Sequence, residues 1–215
     1  MLTLDSTTGT LKLNFGTIRG GTVRGLDGAG LVVFTSGTLD AVRLDTDVLV
    51  AGSIVTLAVQ NGLTLANGHR VQINGTGYGA TLNFIGRSQT LGGSGEVVFG
   101  GVTSVLAANL DAGEMLTIGA DIRVHLDAAG QGGYIQANSA LVNEGSIAAD
   151  ASGKSMILIG DGLTNTGTLS ALSGGILTLN GSYTTAGLGT LFNDGSAVIQ
   201  LGGTLDNSGS MLTRD

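Results

Sequence analysis

Four segments in the C-terminal third of the chain repeat one pattern. Leu141-Val142-Asn143-Glu144-Gly145-Ser146-Ile147, Leu163-Thr164-Asn165-Thr166-Gly167-Thr168-Leu169, Leu191-Phe192-Asn193-Asp194-Gly195-Ser196-Ala197 and Leu205-Asp206-Asn207-Ser208-Gly209-Ser210-Met211 share Leu-x-Asn-x-Gly-Ser/Thr-x. A fixed motif recurring at short intervals is the mark of a repeat architecture, and it limits the fold more than any other feature of the chain. A looser period runs further back, with apolar strand openings at Ile54, Ala80, Val105, Tyr134, Met156, Ile176 and Val198. Their spacing is uneven but stays within the range of short stacked repeats.

Within each unit, apolar and polar residues alternate in short bursts such as Leu63-Thr64-Leu65, Val71-Gln72-Ile73 and Leu82-Asn83-Phe84. Period 2 is the signature of strands. Asn61-Gly62, Asn67-Gly68, Asn74-Gly75, Asp161-Gly162, Asn180-Gly181 and Asp194-Gly195 lie between the bursts and read as turns, because Gly and Asn tolerate positive φ. A β unit this short cannot bury its own apolar face, so successive units must stack. The expected fold is therefore all-β, a parallel β-helix or β-solenoid of roughly nine coils, about 40 Å long at the ~4.8 Å strand spacing. Residues 1–215 read as one solenoid, with 134–215 its most regular part. An antiparallel sandwich fits less well, since the close, regular rhythm of successive hairpins is missing.

Composition agrees with this. Of the 215 residues 39 are Gly, and there is no Pro, Cys or Trp. A Pro would remove a ladder hydrogen bond where strands have neighbours on both sides. The absence of Cys excludes a disulfide scaffold and a Cys-based zinc site. Phe34, Phe84 and Phe99 fall in apolar strands and are expected in the core, whereas Tyr134 and Tyr183 are the expected surface aromatics. Stacked in register, the motif asparagines Asn143, Asn165, Asn193 and Asn207 would form a structural ladder or bond the turn backbone, with Gly145, Gly167, Gly195 and Gly209 at the corners beside them.

Charge narrows the partners. Sixteen acidic and nine basic residues give a net charge of -7, and the basic residues are scattered singly. Nucleic acid and anionic membranes need basic clusters, so neither is an expected partner. No apolar run approaches the ~18 residues of a membrane helix, so no membrane insertion of this segment is expected.

The tandem motif, with Ser88-Gln89-Thr90-Leu91-Gly92-Gly93-Ser94-Gly95-Glu96-Val97-Val98-Phe99 and Leu177-Thr178-Leu179-Asn180-Gly181, resembles the repeat regions of large bacterial surface proteins, the filamentous-haemagglutinin-like and autotransporter passenger β-helices. The resemblance covers most of residues 54 to 215. It implies a right-handed β-helix displayed outside the cell as a non-enzymatic stalk or adhesive rod, with a surface or host ligand that the repeats do not specify. Freedom from Cys suits passage of an unfolded chain through an outer-membrane pore. Met1-Leu2-Thr3-Leu4-Asp5 has no basic region followed by an apolar one, so no signal peptide is expected there and the chain reads as a segment of a longer protein. Asp215 follows soon after a repeat with no cap, which makes end-to-end stacking into filaments an alternative.

Some β-helices hydrolyse polysaccharides, and that second alternative needs acidic residues gathered as acid and base. Asp45 and Asp47 would share a face about 7 Å apart in an extended segment. Asp121 and Asp127 flank Arg123 and His125, a conceivable His-Arg-Asp cluster. Both groups read more simply as solvated or salt-bridged exterior, and His69 as a turn residue. No catalytic residue, metal site or cofactor is therefore expected. Gly92-Gly93-Ser94-Gly95 lacks the Asp of a calcium nonapeptide, Gly75-x-Gly77-x-Gly79 opens no helix that would seat a phosphate, and Thr8-Gly9-Thr10 and Thr166-Gly167-Thr168 do not recur coil after coil as an ice-binding face would.

Overall fold

Why the strands stack can be followed along one ladder. Leu11, Leu31, Val48, Val71, Val97, Val124, Ile147, Leu169 and Leu191 pair in succession, each with the next and always in parallel, giving nine levels. The computed structural model, which describes residues 1–209, is thus an all-β parallel solenoid of nine coils. Each coil has three faces. The first carries Leu2–Leu4, Thr22–Gly25 and their successors up to Leu163–Asn165; the second is the ladder just traced; the third runs from Thr17–Arg19 through Ala80–Gly86 and Gly132–Ala137 to Val198–Leu201.

Alternation decides which side chains enter the core. On the second face Leu31 and Val33 are buried while Val32 between them is partly exposed, and Val48 and Val50 flank Leu49 in the same way. A coil gains its stability by burying these residues against the coils on either side, at roughly 1.5–3 kcal/mol for each large aliphatic side chain. Core volume is shared between faces. Phe99 on the second face reaches across to the third, where a Cβ on Gly133 would collide with its ring. Phe84 stands in a third-face column with Val59 below and Ala108 and Ala137 above. Large residues on one face are matched by small ones opposite, as close packing demands.

Phe84 and Phe99 lie in the core as expected, but Phe34 does not: it is 52% exposed at a corner. Ile54 likewise does not open a strand. Val55 pairs with Ala80, and Ile54 sits just before it at positive φ with its side chain in solvent. Tyr183, expected at the surface, is buried and donates its hydroxyl to the Leu158 carbonyl at 3.1 Å. Burial pushes that phenol up to about 12, with the Asp161 charge adding to the effect. Tyr134 is half-buried.

One coil departs from the frame. Where the ninth coil should place a first-face strand above Leu163–Asn165, the chain forms a single helical turn, Thr185–Leu188, capped by the Thr184 hydroxyl accepting from the Gly187 N–H at 2.9 Å. No helix among the described residues is long and apolar enough to cross a membrane.

Candidate functional site: inter-coil clamps and an open groove

The motif asparagines separate into different environments. Asn143 and Asn165 face each other in register on the first face, both buried, and the Asn143 amide donates to Asn165 Oδ1 at 2.7 Å and to the Thr168 carbonyl at 3.2 Å. Asn165 in turn donates to the Leu188 carbonyl of the helical turn at 2.9 Å. These bonds satisfy both amide nitrogens and Asn165 Oδ1 in the core, while Asn143 Oδ1 is buried without a hydrogen-bond partner. The third and fourth copies do not continue this column. Leu191 pairs with Leu169 on the second face, so Asn193 stands over Ala171 and bonds its own turn, accepting from the Gly195 N–H at 2.8 Å and donating to the Ala197 carbonyl at 2.9 Å. Asn207 accepts from the Thr185 hydroxyl at 2.7 Å, and Ser210 and Met211 of that copy lie outside the described residues, as does the end at Asp215.

Gly145 and Gly167 occupy corners with no room for a side chain. A Cβ on Gly167 would strike the Gly145 carbonyl, and one on Gly145 would strike the carbonyls of Gly119 and Ile122. Gly195 and Gly209 have open space around them and are required instead for their positive φ, 85° and 73°.

Charged residues stack between coils. Asp47, Arg70, Glu96 and Arg123 alternate in sign up the start of the second face, where Arg70 pairs with Glu96 and Glu96 with Arg123 in register. Asp45 and Asp47 do come together, but around one imidazole: His69 Nδ1 is 2.9 Å from Asp47 and Nε2 is 3.7 Å from Asp45. Asn67 donates to Asp45 at 2.6 Å, while Arg24 lies 3.5 Å from Asp45 and Arg70 3.6 Å from Asp47. His69 follows the positive-φ pair Asn67-Gly68 and so belongs to a corner. At another corner, Asp40 accepts from Arg19 and from Asn61, each at 2.7 Å, and the Asn61 bond followed by that of Arg19 holds its carboxyl below the usual range.

Arg123 and His125 do form a cluster, with other acids than those flanking them in sequence. Their partners are Glu96 in the coil below and Asp150 in the coil above: His125 Nδ1 is 3.3 Å from Asp150, Nε2 is 3.5 Å from Glu96, and Arg123 reaches both carboxylates. Neither ring nitrogen is aligned for a hydrogen bond, so the contact is ionic. Burial works against a charged His125, but Asp150 outweighs it with help from Glu96 and against Arg123, and the imidazole is raised above its ordinary 6.5. Burial likewise opposes the Asp150 charge; His125 and the Leu126 N–H, which donates to it at 3.1 Å, overcome that and lower it. Asp127 instead accepts from the Ala129 N–H at 2.9 Å within its own turn, and Asp121 is exposed.

An open groove of about 730 Å³ runs along the corner between the third and first faces, lined by Arg43, Asn61, Thr64, Ser88, Thr90 and Met115 among others. None of Asp45, Asp47, Asp121 or His125 lines it. Among the described residues, the acids with shifted pKa values (Asp5, Asp40, Glu114, Asp150, Asp194 and Asp206) are all lowered. A glycosidase-type general acid needs the reverse, a carboxyl held protonated near neutrality. Among the described residues no group of three or more His, Cys, Asp or Glu side chains is arranged to hold a metal ion. The arrangement clamps coil to coil. Sequence reasoning overlooked Glu96 and Asp150, whose distance along the chain from His125 carries no local signal.

In comparisons with known proteins, no family model, no curated protein and no solved structure matches the chain. The fold defines the class, a parallel β-solenoid.

Proposed function

We propose that this chain is a non-enzymatic stalk or adhesive rod, part of an exported bacterial surface protein and held outside the cell. The observation that carries the reading is the continuous second-face ladder: nine coils keep their register along it, and the charged clusters around His69 and His125 tie their coils to the neighbouring ones. Such a rod resists bending because every coil is bonded along its faces to the next. Lowered carboxyl pKa values, including those of Asp40 and Glu114 beside the groove, support a mechanical role over an acid–base one. The tandem Leu-x-Asn-x-Gly-Ser/Thr repeats and the absence of Cys support export to the cell surface.

Antibodies raised against the chain are expected to label intact cells producing the parent protein, and external protease to remove the label. Labelling only after permeabilisation overturns the surface assignment. Incubation with a panel of polysaccharides is expected to release no reducing ends above buffer, and release that Asp45→Asn or His125→Gln abolishes overturns the non-enzymatic one.

A further inference from the structure

Five consecutive coils carry a large apolar side chain at the corner between the second and third faces. Phe15 is 77% exposed, Phe34 52%, Ile54 73%, Tyr78 87% and Val102 60%. The corners stack directly: the Thr35 hydroxyl donates to Asn14 at 2.9 Å, a Cβ on Gly52 would lie 3.5 Å from the Phe34 carbonyl, the Tyr78 N–H donates to Ser53 at 3.2 Å, and the Thr103 hydroxyl donates to the Gly77 carbonyl at 3.4 Å. At one strand spacing per coil, the five side chains form a stripe about 19 Å long.

Two further observations set this stripe apart from scattered surface apolar residues. Phe15 and Ile54 hold positive φ, 52° and 60°, a conformation that is disfavoured for any side chain and an outlier for a β-branched one. Folding tolerates strain at positions where another demand overrides it. Secondly, the corners Asn14–Gly16, Phe34–Thr35, Ala51–Ile54, Asn74–Gly79 and Gly100–Thr103 contain no acidic or basic residue, whereas three of the four equivalent corners further up carry Asp127, Asp150 with Lys154, and Asp194, and the remaining one, Leu172–Gly175, is uncharged but presents no large exposed apolar side chain.

We infer that the stripe is a lateral docking surface for a second copy of this chain, paired antiparallel about a two-fold axis near Ile54. Antiparallel alignment sets Phe15 against Val102 of the other copy, Phe34 against Tyr78, and Ile54 against Ile54, so each large ring meets a complementary partner and the contact is isologous. Exposed area points the same way: five large apolar residues, each between 52% and 87% exposed and stacked without a break, make a continuous strip on the order of several hundred Å², the size at which an exposed patch marks a protein–protein contact. Charge fits as well. Two rods of net charge -7 repel wherever carboxylates face each other, and this uncharged strip is where they can approach. A lipid surface would find no cation in these corners, and a glycan would find no ring at the centre, where Ile54 stands. The pairing is lateral and independent of the stalk reading, which a strictly monomeric rod would leave intact.

The 215-residue chain is expected to sediment as a concentration-dependent monomer–dimer mixture, with dimer increasing as salt screens the net charge. Phe34→Ser combined with Tyr78→Ser is expected to weaken association at least tenfold with an unchanged thermal midpoint of the monomer. The chain has no Cys, so Ile54→Cys introduces a single thiol, which is expected to oxidise to a covalent dimer across the axis. Thr164→Cys, exposed on the first face, is expected to stay monomeric under the same conditions. A monomer at every concentration, equal crosslinking of the two cysteine variants, or a monomer whose stripe binds lipid vesicles or glycans overturns the proposal.

Discussion

From Ala140 onward the coils advance by a nearly constant step: Leu141 pairs with Leu163, Ile147 with Leu169, Ile176 with Val198 and Tyr183 with Leu205, the same separation along the chain each time. Before it, the step swings from the short advance of Leu31 to Val48 to the much longer one of Val105 to Tyr134. The two regions solve the same stacking problem differently. The regular coils have small core residues such as Ala149 and Ala171, a buried Asn pair and matching corners. The coils before Ala140 are filled in their wide central part by Phe84 and Phe99, are tied by ion columns, and have corners of varied length, five of which present the apolar stripe. A solenoid thus keeps its ladders while its corners change, since each ladder needs only its neighbours.

The sharpest way to break this contrast is to empty a wide coil. Phe99→Ala removes a fully buried ring and is expected to cost roughly 3–5 kcal/mol in chemical denaturation, because few neighbours can move to fill the space. A cost below about 2 kcal/mol would mean that the wide coils are loosely filled.

Within the regular half, Asn143→Ala leaves Asn165 Oδ1 and the Thr168 carbonyl without their donor, and is expected to cost about 1–3 kcal/mol. Asn193→Ala, confined to a turn, is expected to cost less than half as much. Equal losses would show that the motif matters by its sequence and not by its column.

Ile54→Gly relieves a strained backbone at an exposed corner, and is expected to raise monomer stability by a few tenths to about 1 kcal/mol, the strain relief exceeding the added chain entropy. Destabilisation would indicate that the side chain serves the fold of its own coil.

The pH dependence should be the mildest effect. His125 is raised above its ordinary 6.5 in the folded chain, so its contribution is complete below that value and is lost as pH rises through the folded one. Asp150 is lowered from 3.8, so its contribution is complete above that value and is lost as pH falls through the folded one. Thermal midpoints should therefore peak between the two, and Asp150→Asn should remove most of the decline on the alkaline side. An unchanged alkaline limb in the variant would show that the cluster does not couple to stability.

Much of the architecture was legible in the chain. Alternation identified the strands, Asn-Gly and Asp-Gly steps marked corners, and the missing Pro agreed with ladders paired on both sides. Errors arose where register decided. Ile54 and Val55 are neighbours of like chemistry, and only the pairing of Val55 with Ala80 sends one inward and the other out. Phe34 follows three strand residues and looks like a fourth, yet the corner begins there. The motif copy at Leu191 repeats the earlier pattern but lands one face later, because the helical turn at Thr185–Leu188 takes the first-face position. His125 found its acids at Glu96 and Asp150, roughly one coil away in each direction, and not at Asp121 and Asp127.

By itself, the sequence determined that this chain forms short strands, that they stack in parallel, and that about nine coils result, since period, turn chemistry and unit length are local properties that leave no other way to bury the apolar faces. The tertiary structure alone decided which residues share a column: the Asn143–Asn165 pair, the clamps around His69 and His125, and the stripe from Phe15 to Val102. Column membership depends on the summed length of every corner between two residues, and a shift of one position exchanges inside for outside.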